Sequence, residues 1–206
     1  MVGLLVTCQS LPKQKELQHE LLEAIRHNDE ERLRQAIAKG ADINYPDSEG
    51  YTALHEAAKR GSRRLLEIMC EGPCQLNRAS RYGDSPLHRA ANTGNAETVQ
   101  YLLEKGANPR LKTHLGMTAL HYAARRGKVA MAEVLLLYGS ELNTTNNLGN
   151  TPLHEAAIAG EKDMVIFLLR KGASPHAKNF SGKTPRQLAW ERGHSEIVRL
   201  FDHPKP

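Results

Sequence analysis

Gly50, Gly83, Gly116, Gly149 and Gly182 stand 33 residues apart without a slip, and Gly61, Gly94, Gly127, Gly160 and Gly193 keep the same spacing. Between the paired glycines runs a related phrase: TALHEAA at 52–58, SPLHRAA at 85–91, TALHYAA at 118–124 and TPLHEAA at 151–157. A degenerate fifth copy, TPRQLAW, fills 184–190. A period of this length constrains the fold more than any composition value. Each unit is too small to bury its own apolar face and must stack on its neighbours, so the chain forms a solenoid instead of one globule around a central core.

The residue chemistry inside one period supports a helix pair. Thr52, Ser85, Thr118, Thr151 and Thr184 stand where a side-chain oxygen can cap a helix N-terminus, worth about 1 kcal/mol each. Pro86, Pro152 and Pro185 follow at the first helical position, where a missing N–H costs nothing. The Ala pairs 57/58, 90/91, 123/124 and 156/157 let neighbouring helices approach closely. A second helix carries Leu102/Leu103, Leu135/Leu136 and Leu168/Leu169, and Gly106, Gly139 and Gly172 end it in the left-handed conformation. The segments around Gly50, Gly83, Gly116 and Gly149 become projecting turns. Aromatic residues make up only 5% of the chain, so the core must be built mainly from aliphatic side chains.

These phrases resemble the ankyrin repeat family, whose unit is a β-turn plus two antiparallel helices. The resemblance spans roughly residues 16 to 201 and implies an all-α solenoid of paired antiparallel helices with projecting β-turns. The expected units are an apolar N-terminal tail at 1–15 and a capping helix pair at 16–45. Repeats follow at 46–78, 79–111, 112–144 and 145–177, with a C-terminal capping repeat at 178–206. Residues 1–12 carry no charge and read either as a tail or as a strand-like segment over the first helices. At the far end Arg186 and Gln187 replace the Leu and His of the phrase, and Trp190, Leu200 and Phe201 are expected to close the core.

One unit departs from the pattern. Residue 73, where the C′ glycine belongs, is proline, which cannot adopt φ > 0. This predicts a shortened second helix, with Gly72 ending it one position early, and an altered hairpin from Cys74 to Asn77. Pro73 also argues against Cys70 and Cys74 meeting across a helical turn. Together with Cys8 they make an odd count without disulfide-framework spacing. The apolar start has no basic n-region of a signal peptide. Both features point to an intracellular setting, cytoplasmic or nuclear. No apolar run approaches the roughly 20 residues of a membrane helix.

Ten histidines invite a catalytic or metal reading. Four of them, His55, His88, His121 and His154, occupy one repeat position and cannot converge on a single metal centre, whose ligands must all lie about 2 Å from the ion. The resemblance implies that they tie adjacent repeats together. No GxSxG elbow, phosphate loop or HExxH phrase is present. The expectation is a non-enzyme with no metal and no cofactor.

In the resembled family the concave face binds proteins, through the residues flanking each turn glycine and those just before the glycine ending the first helix. Carried over by position, the candidate protein-binding residues are Tyr51, Lys59 and Arg60, then Arg81 and Tyr82. The third full repeat adds His114, Leu115, Met117, Arg125 and Arg126; the fourth adds Leu148 and Ile158; the last adds Phe180. Arginine and tyrosine lead toward one end and apolar side chains toward the other, which suits a partner with acidic and apolar residues. A rigid spacer within a larger assembly is the alternative. Direct nucleic-acid binding is disfavoured: the net charge of +5 carries no basic run, and stacking platforms would need more aromatic residues.

Overall fold

The computed structural model describes residues 10–202. Among the described residues twelve helices follow one another in pairs: α1 (Ser10–Arg26) and α2 (Glu30–Ala38), α3 (Ala53–Arg60) and α4 (Arg63–Met69), α5 (Pro86–Thr93) and α6 (Ala96–Glu104), α7 (Ala119–Arg125) and α8 (Val129–Leu137), α9 (Pro152–Ala159) and α10 (Lys162–Arg170), α11 (Pro185–Glu191) and α12 (Ser195–Asp202). Among the described residues no strand is present. The first helices α1, α3, α5, α7, α9 and α11 stack in one layer, and the second helices stack behind them in another. α1 begins at Ser10, inside the stretch expected to be a tail. The readings for residues 1–9 and 203–206 lie outside the described residues.

From α3 to α11 each first helix starts as its sequence predicts, and in the first four of these a histidine completes the cap. The backbone N–H of Thr52 donates to His55 Nδ1 at 3.1 Å, with Thr52 Oγ1 2.9 Å from the same nitrogen. Ser85–His88, Thr118–His121 and Thr151–His154 repeat this, and Gln187 takes the role for Thr184 through Oε1. Because Nδ1 accepts, the ring proton sits on Nε2. That Nε2–H donates to a backbone carbonyl farther along the chain: Asp84 for His55, Leu111 for His88, Asn150 for His121 and Lys183 for His154. The histidines therefore tie adjacent repeats together, as the resemblance implied. Burial lowers all four pKa values, that of His121 to about 4.

The core is a run of small and aliphatic side chains. Ala57, Ala58, Ala90, Ala91, Ala123, Ala124, Ala156 and Ala157 are fully buried between first helices, and Leu65, Leu102, Leu135 and Leu168 fill the seam between the layers. The glycines ending the first helices answer two demands. Gly61 and Gly94 have positive φ, and a Cβ there would also strike Asn95 or Lys128 of the next repeat.

The second helices α2, α6, α8 and α10 have nine residues, whereas α4 has seven. The shortening follows Pro73 as expected, but its ending differs. α4 ends at Met69 with Cys70 as its C-cap, and Gly72 is not left-handed. Cys70 and Cys74 are joined in a disulfide with Cα atoms 5.3 Å apart, contrary to the expectation that Pro73 keeps them apart. α4 has already ended at Met69, so Pro73 lies in the following loop and does not keep Cys74 from Cys70. Paired cysteines also remove the inference of a reducing compartment. At the last repeat Leu200 and Phe201 pack on the core, but Trp190 is 70% exposed. It occupies the second alanine position of the phrase, which in earlier repeats is covered by the following first helix; no described helix follows α11 in that layer.

Candidate protein-binding surface

The projecting turns are built by a residue that the repeat phrase does not include. Asp47, Ser80, Thr113, Asn146 and Asn179, again 33 residues apart, each accept two backbone N–H groups of their own turn with one side-chain oxygen. Such side chains favour turns because they substitute for backbone acceptors. The signal was in the sequence as a period of oxygen-bearing residues, three positions ahead of each turn glycine.

Neighbouring turns are joined by backbone hydrogen bonds. Arg81 N–H donates to Glu49 C=O, His114 to Tyr82, Asn147 to Leu115 and Phe180 to Leu148, at 2.8–3.0 Å. This brings the turns side by side so closely that a Cβ on Gly83 would lie 2.7 Å from His114 N. The side chains at the tips point away from these bonds. Tyr82, Leu115 and Leu148 occupy one register, with Phe180 beside it, and all four are exposed, Leu115 at 70% and Phe180 at 78%. Four of the candidate residues thus line up as an apolar ridge. Arg81 and His114 are exposed on the same row of turns.

The remaining candidates are less free than their position suggested. Met117 is 3% exposed, with its sulfur 3.2 Å from Asn146 Nδ2. It belongs to the scaffold, because its side chain turns inward over the turn instead of flanking it outside. Tyr51 is half-buried: its hydroxyl donates to Asp84 Oδ2 at 3.0 Å, and its ring meets His55 edge-on. Burial raises its pKa. Ile158 is half-buried, and its carbonyl accepts from His194 Nε2.

Arg125 donates from Nε and Nη2 to Glu155 Oε2, a carboxylate only 2% exposed. Asn146 Nδ2 and Asn150 Nδ2 donate to the other oxygen, at 3.0 and 3.1 Å. Arg126 reaches Asn92 Oδ1 at 3.1 Å, Lys59 lies 3.9 Å from Glu56, and the Arg60 guanidinium donates to the Arg26 carbonyl. These cations are exposed but engaged. Arg81 has no side-chain partner among the described residues. The spacing of the phrase shows which residues face the groove; it cannot show that Glu155 waits beneath Arg125.

Among the described residues no group of three or more His, Cys, Asp or Glu side chains is placed to hold a metal ion, and no helix is long and apolar enough to cross a membrane.

Comparison with known proteins agrees with this architecture. A family profile described as ankyrin repeats (3 copies) matches residues 21–113 and 106–179. One relative is the E3 ubiquitin-protein ligase Ufd4 of Drosophila melanogaster, 36% identical over 63 residues; the match covers 30% of this chain and 2% of that protein. The chain therefore spans only a small part of that relative. With the histidine-capped helix pairs, the paired turns and a profile match over more than half of its length, the chain belongs to the ankyrin-repeat family, whose repeats serve as protein–protein interaction modules and are typically non-enzymatic.

Proposed function

We propose that the chain works by non-covalent capture of a partner protein across its row of turn tips, as an adaptor, an inhibitor or a subunit. The observation that carries this reading is the apolar ridge of Tyr82, Leu115, Leu148 and Phe180, exposed along one row of turns on a backbone-bonded support. Large apolar side chains held rigidly lose little conformational entropy on binding, and exposed apolar rows mark interaction surfaces. The acidic component expected of the partner rests on fewer residues than position alone suggested, with Arg81 and the outward parts of Arg60 and Arg126 as its receivers.

The double variant Leu115→Ser/Leu148→Ser should lower capture of partner protein from extract by at least tenfold, roughly the loss of one interface hot spot. Leu137→Ser is the control, because Leu137 is 80% exposed but lies on α8 in the second layer. Equal capture by the ridge variant and the wild type would overturn the proposal.

A further inference from the structure

A cavity of about 350 Å3 opens between α1, the turn at 45–51 and α3, with Arg89 from α5 on its far wall. Two buried polar atoms belonging to its lining residues have no hydrogen-bond partner: Arg89 Nε and Gln18 Oε1. Arg89 lies over the Tyr51 ring at 4.7 Å from the centroid and forms no ion pair among the described residues. Three of the neighbouring carboxylates are engaged elsewhere. Asp47 Oδ1 holds the N–H groups of Glu49 and Tyr51, Glu56 faces Lys59, and Asp84 Oδ2 holds the Tyr51 hydroxyl. A half-buried guanidinium seated on an aromatic ring without a carboxylate is the kind of group that native structures otherwise pair.

Resting on the protein-recognition reading above, we propose that this cavity receives an acidic residue of the partner peptide. Its carboxylate accepts from the outer guanidinium nitrogens of Arg89, which no group of the described residues engages. The cavity lining holds three cations, Arg26, Lys59 and Arg89, and three carboxylates, Asp47, Glu49 and Glu56. A lining without net charge does little to offset the desolvation of a dianion, so it suits a singly charged group better than a phosphate. Tyr51 and Tyr45 give the aliphatic stem of the acidic residue an apolar wall. The cavity sits at one end of the turn row, so a peptide lying on Tyr82 and Leu115 reaches it without leaving the face.

The test uses short N-acetylated, C-amidated peptide pools, randomised except for one fixed central residue, passed over the immobilised full chain. The wild type should retain the fixed-Glu pool about tenfold better than the fixed-Gln pool, the size of one charge-assisted hydrogen bond. Arg89→Gln should retain both pools equally, and Arg89→Lys, which keeps the cation, should recover part of the preference. The Leu115→Ser/Leu148→Ser protein should lose overall retention while what it retains still favours Glu. An undiminished Glu preference in Arg89→Gln overturns the cavity assignment, as does equal retention of the two pools by the wild type. Overall retention unchanged in the ridge variant overturns the ridge reading instead, and no retention of either pool by the wild type overturns both.

Discussion

Arg125 and Glu155 are joined across a repeat boundary by two hydrogen bonds to one carboxylate oxygen, 3.0 Å from Nε and 2.8 Å from Nη2. The pair is unequal. The Glu155 side chain is 3% exposed and that of Arg125 49%, so losing one partner differs from losing the other. Glu155→Ala strands the amides of Asn146 and Asn150 as well as the guanidinium and should cost about 2–3 kcal/mol. Arg125→Ala leaves the carboxylate with two amide donors, and water screens the lost charge, so about 1 kcal/mol is expected. Urea unfolding of the two variants measures the difference; equal losses would show that the amides contribute nothing. Reversing Arg125 to Glu places like charges together and would confuse a binding test with a folding defect.

The histidine ladder sets a pH limit on stability. Burial holds His55, His88, His121 and His154 below the ordinary histidine value, His121 at about 4. The unfolded chain therefore takes up protons first as pH falls, and ladder stability is complete above about 6.5 and drains away from there toward 4. His121 alone accounts for a loss on the order of 3 kcal/mol across that window. His121→Gln should flatten the decline, since Gln187 already fills the same capping position through Oε1. Thermal melts between pH 7 and 4 test it, and an unaltered slope in the variant would contradict the assignment.

Two turn glycines separate backbone strain from backbone collision. Gly83 and Gly182 both have φ near +75°, at +77° and +72°. A Cβ on Gly83 would sit 2.7 Å from His114 N, while one on Gly182 meets nothing within 4 Å. Gly182→Ala should cost about 1–2 kcal/mol, the left-handed penalty alone. Gly83→Ala should cost at least twice as much, because neither turn can yield without breaking the His114 to Tyr82 backbone bond. Denaturant midpoints of the two single variants provide the comparison.

The Cys70–Cys74 bridge closes a loop with a sequence separation of 4. So short a loop restrains little of the unfolded chain, and reduction should lower stability by no more than about 2 kcal/mol. The Cys70→Ser/Cys74→Ser protein should melt like the reduced wild type. Alkylation followed by mass spectrometry checks the pairing directly, and free thiols at both positions in non-reduced protein would refute it.

Most of the scaffold was readable because each device recurs. Thr118 and His121 mean little alone, but the same pair three residues apart in four units specifies a cap and a tie to the next repeat. Pro73 was readable as an interruption for the same reason, since the period says what it displaces. What escaped was side-chain direction within an allowed position. Met117 and Tyr82 are separated from their turn glycines by a single residue step, yet Met117 turns onto Asn146 and Tyr82 turns to solvent. Glu155 is a charged residue whose burial depends on two asparagines from the preceding turn. Arg89 sits in the repeat phrase itself, where its neighbours suggest scaffold, and its missing partner becomes visible only in three dimensions.

The bonds from Arg81 to Glu49, His114 to Tyr82, Asn147 to Leu115 and Phe180 to Leu148 use main-chain groups alone. Replacing Tyr82, Leu115 or Leu148 leaves those bonds unchanged. The surface that meets a partner can therefore diversify in sequence without any compensating change beneath it, one unit at a time. A scaffold joined in this way can acquire a new specificity through single steps that are each neutral for folding.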